Sequence, residues 1–305
     1  MMESAWTRGK ESPERSLDDI RVALSNREVE RVERIAEGRA NAVYRVWFEN
    51  SPAAVLRFHE TGTAVLERTL AARLPAEARM PRVLDVGEDW TLMEACAGST
   101  IESLAVRGDW QSIMDSAEDL GRTLAVISEI QFSEAGFLNS SDLTNFESWP
   151  SAYDGLMGHA RWLLERVPLP SGFVSTLQGI IDEAEPWMRA SLEPPCLTHG
   201  DFKASNLMIH EGRVTGVLDW EFAFAGPVLF SFAQLLRFEH QLPARFAECV
   251  LRGFGRPMPA RWRDTTLILD FVSLLDFLCR PDCSESVRVG VTELLERSVS
   301  RLHNR

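Results

Sequence analysis

The sequence predicts an α+β chain with a β-rich first part and a larger, mostly helical second part. Three observations predict it. Up to residue 97, short runs of β-branched and aromatic residues alternate with turn residues, and one helical stretch lies among them. Beyond Ala97-Gly98, apolar residues recur at helical spacing in long segments. One short hairpin, turning at Glu211-Gly212, interrupts those helices.

In chain order, residues 28–36 are the first predicted strand and EGRANA at 37–42 is turn-like. VYRVWF at 43–48 has strand composition, and Asn50-Ser51-Pro52 punctuates it. Residues 53–59 form a third strand. TAVLERTLAARL at 63–74 places Val65, Leu66, Leu70 and Leu74 at helical spacing, with Thr61 or Thr63 as its cap. Residues 82–86 and 90–95 are two further strands joined by Gly87-Glu88-Asp89. Residues 111–130, 149–166, 173–189, 231–238, 244–253 and most of 262–302 read as helices, and 206–210 with 213–218 as the hairpin. Residues 1–27 read as a loosely ordered leader, 28–97 as a first lobe and 98–305 as a second, with only a short connector between the lobes.

Hydrophobic residues make up 45% and charged residues 25% of the 305, ordinary values for a soluble globular protein. No run approaches the roughly 18 apolar residues of a membrane helix. The polar N-terminus lacks the apolar segment of a secretory signal. The five cysteines are scattered without a CxxC pair, which points to a reducing cytoplasm and away from a disulfide framework. The net charge of −13 makes nucleic acid a poor partner; the acidity either merely keeps the protein soluble or attracts a cationic ligand.

The stretch LTHGDFKASNLMIHEGRVTGVLDWE, residues 197–221, carries the chemistry. Asn206 and Asp219 lie at the same open end of the predicted hairpin, offset by about two residues, or roughly 7 Å at strand spacing. Asp201 lies in the loop that enters it. Three oxygen-bearing groups thus converge. Two of them suit Mg²⁺, which takes one or two protein groups plus phosphates and water. A carboxylate kept off the metal can accept the proton of an attacking hydroxyl. Phosphoryl transfer needs this layout.

With these residues the chain resembles the aminoglycoside phosphotransferase family, which shares its fold with choline kinases and protein kinases. HGDFKASN at 199–206 is similar to the family's catalytic loop, and DWE at 219–221 to its metal-binding motif. The resemblance implies a bilobal protein-kinase-like fold, with ATP and Mg²⁺ in the cleft and transfer to a hydroxyl of a small molecule. It implies Asp201 as catalytic base, Lys203 at the transferring phosphoryl group, and Asn206 and Asp219 on the metal. Gly38 and Asn41 stand where the family has its phosphate-covering loop, although a plain hairpin turn would read the same. Arg57 stands at the nucleotide phosphates, with Glu67 as its acidic partner and Val55 as the apolar ceiling over adenine. LMEACAG at 92–98, with Met93, Glu94 and Cys96, resembles the hinge that reads adenine. The acceptors that the family implies are aminoglycosides and other antibiotics, choline, homoserine and sugars, so antibiotic resistance is among the implied roles. Two alternatives remain at this stage: a nucleotide-binding regulator that has lost transfer, and a protein kinase.

The chain departs from the family at Ser231, which stands where the resemblance places an Asp that braces the catalytic loop. A hydroxyl is a weaker acceptor than a carboxylate. The expectation from sequence is therefore that Ser231→Asp tightens the loop and raises turnover or at least leaves it intact, unless the neighbours have adjusted to serine and the carboxylate costs stability.

Overall fold

The chain is described here by a computed structural model covering residues 15–24, 27–35, 42–59, 63–192, 194–281 and 283–304. Its first part is a five-stranded antiparallel sheet in the order β1-β2-β3-β5-β4: Val29–Arg34, Ala42–Phe48, Ser51–Phe58, Trp90–Glu94 and Val83–Val86 as β1, β2, β3, β5 and β4. Alternation decides the faces. In β2, Tyr44 and Val46 are buried while Arg45 is exposed, and in β3 Leu56 and Phe58 join them in one apolar cluster with Leu92 of β5. Arg57 lies between Leu56 and Phe58 and so points to the opposite face, as a period of two requires.

Part of the segment read as a loosely ordered leader is helical. Leu17–Ala23 forms a helix, α1, opened by a capping box in which Ser16 and Asp19 bond each other's backbone N–H. Ile20 and Leu24, four residues apart on one face, are 2% exposed and belong to the sheet's core. Helix α2, Thr63–Arg73, follows β3 as expected. Its Leu66 and Leu70 belong to the larger core of the second part, so this helix ties the two parts together.

The second part begins with a two-residue strand β6, Ser99–Thr100, and helices α3 (Ile101–Val106) and α4 (Trp110–Ile127). Strands β7 (Gly136–Leu138), β8 (Asn145–Ser148) and β9 (Cys196–Thr198) flank α5 (Ala152–Leu164) and α6 (Ser171–Ser191). The hairpin β10 (Leu207–His210) and β11 (Arg213–Val217) is followed by β12 (Phe224–Gly226) and helices α7 (Val228–Leu236), α8 (Phe246–Phe254), α9 (Trp262–Cys279) and α10 (Glu285–His303). The helical stretch read over most of 262–302 is two helices, broken around Arg280-Pro281, since proline withholds a backbone donor. Strands β8-β7-β12-β9 form a small sheet, and β6 adds to the hairpin in the order β11-β10-β6. Helix α9 is the spine. Ile268, Leu269, Phe271, Val272, Leu274 and Leu275 are at most 1% exposed, and it packs on α5, α7 and α10.

Helices α4 and α8 meet closely. A methyl group on Gly121 would lie 2.0 Å from the Val250 carbonyl oxygen, and one on Gly253 would lie 1.9 Å from that of Glu118. By contrast, nothing among the described residues lies within 4 Å of such a methyl on Gly179 of α6. Gly121→Ala is therefore expected to destabilise the fold by about 1–3 kcal/mol through overpacking. Gly179→Ala is expected to stabilise it by about 0.5–1 kcal/mol, the ordinary gain of replacing a mid-helix glycine. Denaturant unfolding of the two variants checks both signs.

Candidate active site

Strand β9 is fully buried and delivers the chain into His199-Gly200-Asp201. Gly200 has φ 80°. A methyl there would lie 2.1 Å from the Phe222 carbonyl oxygen, so only glycine lets this loop cross the Trp220–Phe222 turn. Burial pushes the His199 pKa down to about 4, against the weaker upward pull of Asp201 and Asp219. The ring is therefore neutral, and its Nδ1 accepts the Asp201 N–H at 3.2 Å. It packs 4.5 Å from the Trp220 ring, centroid to centroid.

Asp201 presents a carboxylate with two neighbours. Lys203 Nζ lies 2.7 Å and Asn206 Nδ2 2.9 Å from its Oδ2. The same amide nitrogen donates to the Asp201 carbonyl oxygen at 2.9 Å. One turn of 3₁₀ helix, Ala204–Asn206, brings Asn206 back over the loop. With its nitrogen committed to both Asp201 oxygens, Asn206 keeps its Oδ1 as an oxygen donor for another group.

The hairpin brings Asp219 to the same end. Glu211 and Gly212 both have positive φ, 48° and 71°, as the tightest hairpin turns require. Leu207 pairs with Val217, and the Leu218 N–H donates to the Asn206 carbonyl at 2.8 Å. Asp219 is the next residue, and it holds φ 68°, a left-handed conformation that Asp tolerates better than most residues.

Arg57 closes the site from above. Its Nη1 bonds Glu67 Oε1 at 2.6 Å, and its Nη2 bonds Asp219 Oδ1 at 2.6 Å and Glu221 Oε2 at 2.7 Å. The Arg57, Glu67 and Glu221 side chains are 8%, 1% and 2% exposed. Burial alone would lower the Arg57 pKa, but Asp219, Glu67 and Glu221 outweigh it and raise it. Burial likewise opposes ionisation of Asp219, but Arg57, then Lys203 and His199, hold its carboxyl below the usual range. The structure thus joins two groups of predicted residues: Asp201, Lys203 and Asn206 in the loop, and Arg57, Glu67 and Asp219 across the cleft. Glu221, within the DWE motif but given no role from sequence, proves to be a third carboxylate on Arg57.

The predicted hinge is anchored on the hairpin. Val55 pairs with Met93 across β3 and β5; Met93 is buried, Val55 half-buried and Glu94 exposed. Burial, then Glu94, pushes the Cys96 thiol up to about 11. Its Sγ leaves no room for a side chain at Gly216. Thr215 Oγ1 donates to the Ala97 carbonyl at 2.7 Å, and Gly98, at φ 92°, lies against the backbone of Ile209. Gly38 and Asn41 lie outside the described residues, as does Thr61.

Ser231 does not brace the loop: among the described residues its buried Oγ has no hydrogen-bond partner. The brace is Gln234, one helical turn later on α7. Its Oε1 accepts the Phe202 N–H at 2.8 Å, and its Nε2 donates to the Gly200 carbonyl at 2.6 Å. A neutral amide that both accepts and donates does what a carboxylate would do by accepting alone. The one sequence signal was a lone amide in the otherwise apolar run VLFSFAQLL.

A family model described as phosphotransferase enzyme family matches residues 31–264. No curated protein matches the sequence. Among solved structures, a thermostable mutant of aminoglycoside phosphotransferase APH(4)-Ia in ternary complex with ADP and hygromycin B is similar at a TM-score of 0.68. Its identity is 18%, over 94% of this chain and 96% of that one. Macrolide 2'-phosphotransferase MphH from Brachybacterium faecium is similar at 0.65 and 15% identity, over 91% and 96%. A choline/ethanolamine kinase family protein from Mesorhizobium loti is similar at 0.64 and 17% identity, over 93% of each chain. At these identities the likeness establishes the fold, α+β with a β-rich first lobe and a helical second one.

Gln234 already takes the Phe202 N–H, so a carboxylate at position 231 would be buried without that donor. Ser231→Asp is expected to lower the melting temperature, the second of the two outcomes that the sequence left open. Gln234→Leu is expected to leave the Phe202 N–H buried and unbonded, at a cost of about 1–3 kcal/mol. Amide exchange at Phe202 should then accelerate roughly tenfold or more, which a mass-resolved exchange measurement reads directly.

Proposed function

The chain belongs to the phosphotransferase enzyme family and is a phosphotransferase; we propose that it moves the γ-phosphate of ATP, held with Mg²⁺, to a hydroxyl of a small molecule. The observation that carries this reading is the facing of two charged groups. Asp201 with Lys203 and Asn206 stands on one side, and Asp219 with Arg57 on the other.

The residues fit a metal–nucleotide pair. Among the described residues no cluster of three or more His, Cys, Asp and Glu could hold a metal by itself. Asn206 Oδ1 and the Asp219 carboxylate are two hard oxygen donors, the number Mg²⁺ takes when phosphates and water complete its shell. When bound, the ion supplies neutralisation of phosphate charge. Asp201 takes the proton of the acceptor hydroxyl. The hydroxyl oxygen forms a bond to the γ-phosphorus, and the bond to the β–γ bridging oxygen breaks with its electron pair leaving on ADP. Lys203, 2.7 Å from Asp201, carries a positive charge beside the group in transfer. Arg57 offers a fixed guanidinium to the phosphates, and Glu67 holds it in place from α2.

The reading as an inactive regulator rested on a poorly braced loop, and Gln234 removes that ground. A protein kinase needs a long segment after the metal-binding Asp. Here β12 begins at Phe224, within a few residues of Asp219. No helix among the described residues is long and apolar enough to cross a membrane.

Mg-ATP is expected to raise the melting temperature, with about 2.7 kcal/mol of stabilisation at a hundredfold excess over Kd. Asp201→Ala should keep that shift and lose ADP release by about 100-fold or more. Asp219→Ala should lose both. Thermal shift and a coupled ADP assay on the same three proteins separate the roles. The exchanged pattern, in which Asp201→Ala loses the nucleotide and Asp219→Ala keeps it, contradicts the assignment.

A further inference from the structure

The geometry points to an acceptor that carries an anionic group, a carboxylate or a phosphate, which enters an arginine-lined cavity beside the catalytic loop. This rests on the phosphotransferase reading and names its substrate class.

The cavity lies between α7, the Glu239–Gln241 turn, α9 and α10; it is a small cleft of about 30 Å³ that is partly open to solvent. Its position follows from Gln234. That residue grips Gly200 and Phe202, and Arg237, a lining residue, is three positions later in the same helical conformation. Residues three apart on a helix share a face, so the cavity begins about one turn, ~5 Å, from the loop that carries Asp201. The electrostatics agree. Burial would lower the Arg237 pKa, but Asp270 and, less strongly, Asp201 raise it.

The lining charge is lopsided. Arg237, Arg263, Arg297 and Arg301 face only Glu239 and Asp270. Asp270 is occupied by Arg237 through contacts of 2.5, 2.9 and 3.1 Å. Glu239 is shared between Arg263, at 2.9 and 3.1 Å, and Arg301, at 3.4 Å. Arg297 is exposed at the rim, and no described carboxylate makes an ion pair with it. The excess positive charge is felt at the same rim by His240. Burial first, then Arg297 and Arg301, lowers its pKa.

The contrast with the whole chain is informative. Its net charge of −13 favoured a cationic acceptor, but the cavity beside the base has the opposite sign. A cation there would meet guanidinium groups. A carboxylate or phosphate would meet planar forks that bond such oxygens in pairs. The anionic end would fill the cavity while a hydroxyl of the same molecule stays at Asp201.

The test is a matched series at constant ionic strength: glucose, glucosamine, glucuronate and glucose 6-phosphate. Binding is read by calorimetry on the full chain and on Arg297→Glu, a substitution at an exposed position. Glucuronate or glucose 6-phosphate should bind more tightly than glucose, and glucosamine least. The stronger of the two anions identifies carboxylate or phosphate as the preferred group. Arg297→Glu should weaken the anions about tenfold and leave glucose unchanged. The inference is overturned if glucosamine binds as well as the anions, if neither anion binds better than glucose, or if Arg297→Glu binds them undiminished. The binding readout needs no turnover. Absence of Mg-ATP stabilisation and of ADP release would count against the phosphotransferase reading alone.

Discussion

One guanidinium holds the site together. Arg57 leaves β3 on the face opposite Leu56 and Phe58, reaches Glu67 on α2, and spans the cleft to Asp219 and Glu221. Taking a guanidinium out of water costs several kcal/mol, and only close, well-oriented carboxylates offset that. The three carboxylates are themselves held: Glu67 by a helix whose Leu66 and Leu70 join the larger core, and Asp219 and Glu221 by a turn that follows the hairpin. The charge cluster therefore fixes how the β-rich part meets the helical part.

Below that cluster, the catalytic loop is held by backbone contacts on every side. Gly200 lets it cross the Phe222 carbonyl, His199 receives the Asp201 N–H, and Gln234 takes Phe202 and Gly200 from α7. Preorganisation of this kind would let the proposed base, Asp201, act without reordering its surroundings. Helix α7 carries both the brace and Arg237, so the same element that steadies the loop also places the wall of the proposed acceptor cavity.

Much of this was legible in the sequence, for local reasons. The strands of the first sheet are runs of aliphatic and aromatic residues long enough to alternate visibly, and 43–48 and 53–59 were placed within two residues of β2 and β3. Asp201, Asn206 and Asp219 converge because a hairpin of fixed turn determines which residues share its open end. Strands of two or three residues such as β6, β7 and β12 are too short to show a period. Helix α1 was hidden in a polar leader, where its signals were one capping box and the Ile20–Leu24 spacing. Gln234 was missed because its role is set by where α7 meets the loop, and a shift of three residues along a helix keeps the same face. The arginine cavity draws on α7, α9 and α10, which are distant in sequence, so no local pattern could announce it.

The most direct test is a double-mutant cycle on Arg57→Met and Glu221→Leu, followed by denaturant unfolding. If Arg57 is the tie between the two parts, Arg57→Met alone should cost roughly 3–5 kcal/mol, since it strands buried carboxylates. The double variant should then be more stable than the sum of the singles predicts, by about 1.5–3 kcal/mol. Additivity within about 0.5 kcal/mol would show that the two side chains are not energetically coupled, and the central place given to Arg57 would be contradicted.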